Sequence, residues 1–461
     1  MNKSQENDVK ISNINRRNFL KYSAAAGTGL IFAPTIFAQS ATSKAKEVSL
    51  ALVGVGKQGK IVLDLLLKIP GVKMTAVCDI WEYGQRLGSG LCKKYGQEVT
   101  VFDDYRKMLD THKGLDGVVI ATPDFVHHEM TNACLQSGLH VYCEKEMSND
   151  IEKARSMVLT ARQAGKLLQI GHQRRSNPFY KHAYNLMHKD KVFGDITTVQ
   201  AQWNQQKPLL PVPKKMLTNY ALSPAKLKEW GFSSMEEFYY WRWFNKYAGG
   251  PMTDLGSHQV DVFCWYLDTH PSSVTAIGGS DFAKAEAKAN NVGYVPECFD
   301  HTFALYEFET KAGTVSAFYQ VNLTSSHGGF YEVFMGVKGS MDISEIKDKH
   351  AMFKERGAAA AEWEDEAEIF EVGGEQAMKF DPLKSRKAKG QMDKEGIEMG
   401  EDMEKPAHQP HLENFVEAIR SGVALNCPGE VGFETAVTVL KANESAVSGK
   451  KIKMTAAEFK A

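Results

Sequence analysis

Val48-Ser49-Leu50-Ala51-Leu52-Val53-Gly54-Val55-Gly56-Lys57-Gln58-Gly59 decides the fold of this chain. Six residues, apolar but for Ser49, read as a short buried strand. A Gly-x-Gly-x-x-Gly loop follows at once, and Lys60 to Leu67 carries apolar residues at helical spacing. Strand, glycine loop and helix in this order are the context in which the spacing binds a dinucleotide. Gly54 permits the tight turn, Gly56 lets backbone approach a pyrophosphate, and Gly59 lets helix and strand pack closely. The phosphates are expected on the unpaired N–H groups of the helix N-terminus, beside Lys57 and Gln58. Asp79 closes the next strand, Val72 to Ile80, about twenty residues beyond Gly59, where an acid accepts from a ribose 2′-hydroxyl. An acid there repels a 2′-phosphate, so NAD is expected over NADP, with Arg86 placed to soften that preference.

Outward from this loop, strand-like runs alternate with helical periods as far as Ile170. Gly117 to Ala121, Leu139 to Cys143 and Leu167 to Ile170 read as strands; Asp124 to Ser137 and Ile151 to Ala164 read as helices. Such alternation predicts a parallel sheet covered on both faces. After about Asn177 the pattern changes. Ile196 to Trp203, Ser273 to Gly278, His301 to Phe308, Thr314 to Val321 and Gly329 to Val337 alternate in polarity, with a hairpin signal at Thr310-Lys311-Ala312-Gly313. They predict an open, mostly antiparallel sheet with one covered face. Residues 345–406 are rich in Lys, Glu, Asp and Gly and read as a solvated insertion, the rival being a lid or oligomer arm. Helices are expected over His411 to Ser421 and Gly432 to Ala446.

The other end of the chain carries a different signal. Arg16-Arg17-Asn18-Phe19-Leu20-Lys21 precedes an apolar, small-residue stretch from Tyr22 to about Ala38. Twin arginines in this position read as a Tat export signal, giving residues 1–43 as signal and linker and a periplasmic or otherwise exported protein. The stretch is short and holds Gly27, Gly29 and Pro34, so a membrane anchor is the weaker reading and no stable span is expected after export. A formal net charge of −1 gives no basic field, which argues against nucleic acid as a partner. The seven cysteines are scattered, without a Cys-x-x-Cys pair or a spacing that suggests a metal site, so no metal is expected.

Three further motifs join the glycine loop: Ala121-Thr122-Pro123-Asp124-x-x-His127, Glu144-Lys145 after a strand, and Asp254-x-Gly256-x-His258-x-x-Asp261. With Asn414-Phe415-x-x-Ala418-Ile419-Arg420-Ser421-Gly422, the chain from Lys46 onward resembles the Gfo/Idh/MocA oxidoreductases, which include glucose–fructose oxidoreductase and inositol dehydrogenase. The resemblance implies an α/β protein with a doubly wound Rossmann domain, residues 44–175, and an α+β domain with an open sheet, residues 176–461. It implies an active site in the cleft between them, and dimers or tetramers formed through the open sheet face. It also implies that Lys145 contacts the reacting hydroxyl. The family usually reads Glu-Lys-Pro, often with a cis peptide before the proline. Here Glu146 stands in that place. Either its peptide is trans or it is cis without proline, and its carboxylate either lies near the cofactor or points to solvent.

The chemistry expected is oxidation of a secondary alcohol. NAD takes a hydride from carbon, and a base within hydrogen-bond reach takes the hydroxyl proton. His258 has a suitable ordinary pKa, Asp254 one helical turn earlier is placed to orient substrate or imidazole, and the charge of Lys145 steadies a developing alkoxide. Thr122, Pro123, His127 and Glu144 are expected around the cofactor; Arg174, Arg175, Trp241 and Arg242 are candidates for binding a small carbohydrate. Asp261 reads as a structural acid. A sugar, glycoside or polyol is the expected substrate, with tightly held NAD, since free NAD is scarce outside the inner membrane. NAD-assisted glycoside cleavage through transient C3 oxidation, and a non-catalytic sugar-binding scaffold, are the rival readings.

Overall fold

The computed structural model describes residues 46–346, 349–358, 368–372, 375–379 and 405–461. The signal and linker expected over 1–43 lie outside the described residues, as does most of the charged segment 345–406.

The first sheet holds β1 (Val48–Val53), β2 (Val72–Cys78), β3 (Thr100–Phe102), β4 (Gly117–Ile120), β5 (His140–Cys143) and β6 (Leu168–Ile170), in the order β3-β2-β1-β4-β5-β6. Every pairing is parallel. Helices α1 (Lys57–Leu66), α2 (Glu82–Lys94), α3 (Tyr105–Thr111), α4 (Asp124–Gln136) and α5 (Ile151–Ala164) connect these strands. Burial of β1 on both faces explains its apolar run. Strand order reverses on either side of β1, and the ligand crevice of such sheets lies at this switch point. The NAD-binding architecture expected from the sequence is present.

Two helices and β3 were not legible in the sequence. The α2 stretch contains Gly84, Gly88 and Gly90, a poor helix composition. Two of these glycines serve close packing: a Cβ at Gly84 would press on the Asp79 side chain, and one at Gly88 on Val77. Tertiary packing overrides propensity there.

The second sheet has ten strands. They are β7 (Ile196–Asn204), β8 (Pro271–Gly279), β9 (His301–Thr310), β10 (Gly313–Asn322), β11 (Phe330–Gly336), β12 (Gly339–Ile343), β13 (Ala351–Lys354), β14 (Ile369–Val372), β15 (Glu375–Lys379) and β16 (Ile452–Lys453). Their order is β14-β15-β13-β12-β11-β7-β10-β9-β8-β16. β7 and β10 run parallel, while the other pairs are antiparallel. The expectation of a purely solvated insertion is corrected in its described part, where β13, β14 and β15 extend the sheet edge.

Helix α6 (Pro178–His188) follows the first sheet, and α7 (Ser257–Leu267) lies between β7 and β8. The last helices, α8 (Gln409–Ser421) and α9 (Gly429–Ser448), lie at the end of the chain. Leu412, Phe415 and Val416 of α8 join the core of Leu50, Leu52 and Val62, so the chain end returns to cover the first sheet. Among the described residues no helix is long and apolar enough to cross a membrane, and all seven cysteines are buried and free.

Phe415→Ala is expected to cost about 3–5 kcal/mol of stability, since it removes a fully buried ring from this core. Thermal unfolding of the purified protein checks it. A midpoint shift no greater than that of the exposed change Val447→Ala would show that α8 does not anchor the first sheet.

Candidate active site

A cavity of about 560 Å³ opens at the carboxyl end of the first sheet, lined by Gly54, Val55, Gly56, Lys57, Gln58, Asp79, Thr122, Pro123, Glu144 and Lys145. Gly54 has φ +89°, and a Cβ there would stand 2.6 Å from the Ala121 carbonyl oxygen. A Cβ on Gly59 would overlap the Gly54 carbonyl, so loop and helix touch backbone to backbone. A Cβ on Gly56 would meet nothing within 4 Å: the loop leaves room there for a bulky group. Helix α1 begins at the next residue, so its unpaired N–H groups lie at this opening. The residues present fit a dinucleotide.

Asp79 accepts the backbone N–H of Val55 at 2.7 Å and of Trp81 at 2.8 Å. Each carboxylate oxygen keeps a second lone pair for a ribose hydroxyl. Burial pushes this carboxyl up to about 6 against those two hydrogen bonds. Arg86 is taken up by Glu82, with Nε 2.9 Å from Oε1. Glu144 accepts from Gln58 at 3.3 Å and from the Tyr142 hydroxyl at 3.2 Å, so it braces the glycine loop. The opposite wall comes from residues 205–247, which place Trp230, Phe232, Phe238, Tyr239 and Trp241 on the cavity. Trp81 Nε1 donates to the Tyr220 carbonyl at 2.6 Å, and Lys226 pairs with Asp103 at 3.2 Å, fastening that wall to the first domain.

Lys145 leaves β5 toward the second domain. Its ammonium donates to the Asp254 main-chain carbonyl and stands 3.8 Å from the Asp254 carboxylate. Asp254 lies in a π-helical turn, Met252–Gly256, that runs into α7; such turns recur at functional sites. Its carboxylate also accepts from Lys207 at 2.8 Å and from Arg242 Nε at 3.1 Å. Burial opposes its charge, but Lys207, Arg242 and Lys145 outweigh that and hold the carboxyl well below the usual range. Of the two expectations for Asp254, orienting substrate or imidazole, the second is corrected: its carboxylate bonds Lys207 and Arg242 and not His258. His258 instead stacks on Trp203 at 5.4 Å, and its Nδ1 is buried without a partner. Burial first, then the Lys145 charge, holds its ring well below the ordinary histidine value, so it is neutral at neutral pH.

Three other expectations change, for His127, Arg174 and Arg175, and the alternatives left open for Glu146 are resolved. His127 lies outside the cavity lining, with Nδ1 2.8 Å from the Glu146 carbonyl and Nε2 2.8 Å from the Thr122 carbonyl; it brackets two loops. Arg174 is 1% exposed and ion-paired with Glu332 and Glu345, and Arg175 is held by Asp261 at 2.9 Å, so neither is free to bind a sugar. Asp261 also accepts from Thr435 at 3.0 Å. Glu146 follows a cis Lys145–Glu146 peptide and is fully buried, not turned to solvent. Trp241 and Arg242 do line the cavity, the guanidinium 4.2 Å over the indole. Asp124, Lys207, His172 and His408 belong to the neighbourhood without having been assigned. Asp124 stood inside a quoted motif and lines the cavity, and burial pushes it up to about 7. Lys207 carried no motif signal. His408 reaches Gln58 at 3.0 Å. No group of three metal-ligating side chains occurs among the described residues.

Residues 48–172 match the oxidoreductase family's NAD-binding Rossmann fold, and residues 228–454 match its C-terminal alpha/beta domain. The chain belongs to the Gfo/Idh/MocA oxidoreductases. NAD is the cofactor of this first domain. Among relatives, inositol 2-dehydrogenase of Rubrobacter xylanophilus is 22% identical over 69% of this chain and 76% of its own length. D-glucoside 3-dehydrogenase of Escherichia coli is 28% identical over 47% of this chain and 53% of its own. A glycosyl hydrolase family 109 protein of Stenotrophomonas maltophilia is 32% identical over 28% of this chain and 29% of its own. The chain thus spans about half or less of the length of these last two. In fold, levoglucosan dehydrogenase in complex with NADH and levoglucosan has a TM-score of 0.63 at 16% identity, covering 88% of this chain and 99% of that one.

Two outcomes are expected of this oxidoreductase. With Asp79 expected to accept from ribose hydroxyls, its protonation would weaken those charge-assisted bonds, so NAD affinity should fall as pH drops through about 6. Titration calorimetry of Asp79→Asn, compared with the native chain, should show a flat profile; equal pH dependence in both would remove Asp79 from the ribose site. Arg174→Met leaves the buried Glu332 carboxylate with the Tyr180 hydroxyl but no cation and is expected to cost about 3–5 kcal/mol in urea unfolding. Unchanged stability with a raised KM would return Arg174 to the substrate site.

Proposed function

We propose that this oxidoreductase oxidises a secondary hydroxyl of a sugar, glycoside or polyol while keeping its NAD bound. The observation that carries the reading is Lys145, brought from the first sheet onto Asp254 of the second domain at the end of the nucleotide cavity. Bound NAD supplies the hydride acceptor. Lys145 meets the reacting oxygen with positive charge, and Asp254, fixed by Lys207 and Arg242, holds that ammonium in place. Neutral His258 takes the hydroxyl proton. Trp241, on the cavity wall with Arg242 over one side of its ring, offers an aromatic surface for the C–H face of a sugar ring.

Dehydrogenases of inositol and of D-glucoside among the relatives support the substrate class. The family 109 relative supports a second outcome at the same residues, glycoside cleavage without net redox change. Retained cofactor is supported by the aromatic wall of residues 205–247, fastened across the groove. Export with NAD in place is supported by the Arg16-Arg17 segment, since the Tat route carries folded proteins. Self-association is supported by Ile277, Leu305 and Phe318, apolar and exposed on the second sheet.

The test is mass and absorbance analysis of purified protein before and after a panel of sugars and glycosides. Bound NAD and rising nicotinamide absorbance with one substrate class are expected, and Lys145→Met should lower that rate by at least about 100-fold while NAD stays bound. Aglycone release without net reduction would select the glycosidase outcome. Absence of NAD on purification and on titration would end the reading.

A further inference from the structure

His258 is the member of the reacting set that no hydrogen bond holds. Lys145 donates to the Asp254 carbonyl, and the Asp254 carboxylate is fixed by Lys207 and Arg242. The imidazole has no such tie. Among the described residues neither of its nitrogens makes a hydrogen bond, and Nδ1 is buried. A histidine that must present one nitrogen to a reacting group is commonly aimed by a hydrogen bond on the other. Something else sets the angle of this ring.

The aromatic contact that the structure gives it is Trp203. The two ring planes lie 26° apart, with centroids 5.4 Å from each other, within the range of offset stacking. The same indole stacks on Phe330, at 4.5 Å and 20°. Topology builds this group of three rings. Trp203 lies near the end of β7, directly opposite Phe330 on the antiparallel strand β11. Residues paired in this way stand close enough for their side chains to touch. Trp203 Nε1 donates to Gln205 Oε1 at 3.2 Å, which limits rotation of the indole. Helix α7 is fastened to the same strand one residue along: Gln259 Nε2 donates to the Gln202 carbonyl at 3.2 Å, and Gln259 Oε1 accepts from the Tyr319 hydroxyl at 3.4 Å. Strand and helix are thus tied beside the two stacked rings. Past its end, the same strand leads to Lys207 and its bond to Asp254.

We propose that Trp203 is a positioning residue for the reaction: its indole, backed by Phe330, holds the His258 ring by stacking in the plane from which it takes the substrate proton. The role rests on the dehydrogenase reading above, in which His258 is the base. The chemical step is unchanged. The carbon–hydrogen bond gives its electron pair to the nicotinamide, the O–H bond breaks, and its proton passes to a His258 nitrogen; Trp203 exchanges no atom, proton or electron. A stack suits this task because it restrains the plane of a ring and leaves both in-plane nitrogens unoccupied, where a hydrogen bond would use one. Burial works in the same direction. Burial first, then the charges of Lys145, Arg174, His172 and His408, holds the imidazole well below its ordinary value, so it waits as a neutral base.

The experiment is single-turnover reduction of NAD bound to the full chain, over a range of concentrations of the panel sugar that reduces the native protein. Trp203→Leu should lower the limiting rate by about 10- to 100-fold, the order that a misplaced reacting group costs, with NAD content and the half-saturating sugar concentration held. Trp203→Phe, which keeps a ring for the stack, should recover most of that loss. In a His258→Ala background, Trp203→Leu should slow reduction no further, because it acts only through the imidazole. Should Trp203→Leu lose its NAD or its fold, Trp203→Met, without a ring but long enough to fill part of the space, takes its place. A native limiting rate without the ring, a loss of equal size in both backgrounds, or Trp203→Phe as slow as Trp203→Leu would overturn the role. So would a raised half-saturating concentration at an unchanged rate, which would make Trp203 a substrate contact. If His258→Ala keeps the native rate, the base assignment falls; if no sugar reduces the native protein, the dehydrogenase reading falls. Either result takes the positioning role with it.

Discussion

The carboxylate of Asp254 is the point on which the site hangs. Three cations meet it: Lys145 from the end of the first sheet, Lys207 from beyond β7, and Arg242 from the aromatic wall. A single carboxylate cannot neutralise three positive charges. The arrangement holds because Asp254 and Lys145 are largely withdrawn from water, where charge–charge attraction is stronger, while Lys207 and Arg242 stay partly solvated. The excess positive charge then faces the place where an alkoxide would form. Positioning and electrostatic support are one interaction here, and the same interaction ties the two domains across the cleft.

That junction depends on backbone geometry laid down far from it. Lys145 can reach Asp254 because β5 ends beside β4, and β4 beside β1, all parallel and in register. The same strand ends carry the glycine loop, Thr122 and Glu144, so cofactor and reacting group share one edge of one sheet. Gly54 against the Ala121 carbonyl sets how closely the loops leaving β1 and β4 approach. On the other side, the π turn at Met252–Gly256 offers both the Asp254 carbonyl and its carboxylate to one ammonium. Lys145 is thus held by two acceptors on a rigid element.

Legibility in the sequence followed the physics of each part. The nucleotide half was readable because its constraints are local: a strand buried on both faces must be apolar, and a loop touching backbone must be glycine. The strands of the second sheet were readable from their alternation, though not the parallel β7–β10 pair, which no local pattern encodes. Helix α2 was hidden because Gly84 and Gly88 answer to Asp79 and Val77, not to helix propensity. Arg174 and Arg175 misled for a related reason. Arginines at the ligand end of a strand look like substrate groups until Glu332 and Asp261, 158 and 86 residues away in sequence, are seen to occupy them. Lys207 was missed because a lysine in a loop carries no signal until its partner is known.

Enclosure is the remaining step. The wall formed by residues 205–247 closes the nucleotide groove with Trp230, Phe232 and Phe238, and it is fastened to the first domain at Tyr220 and Lys226. Under the proposed function, a cofactor held beneath such a wall is reoxidised in place and not exchanged. Hydride bookkeeping is then internal, and the proton that accompanies each hydride faces the same confinement. His258, the group proposed to take that proton, is itself nearly buried. A site that retains the hydride has reason to retain the proton, because the return step consumes both.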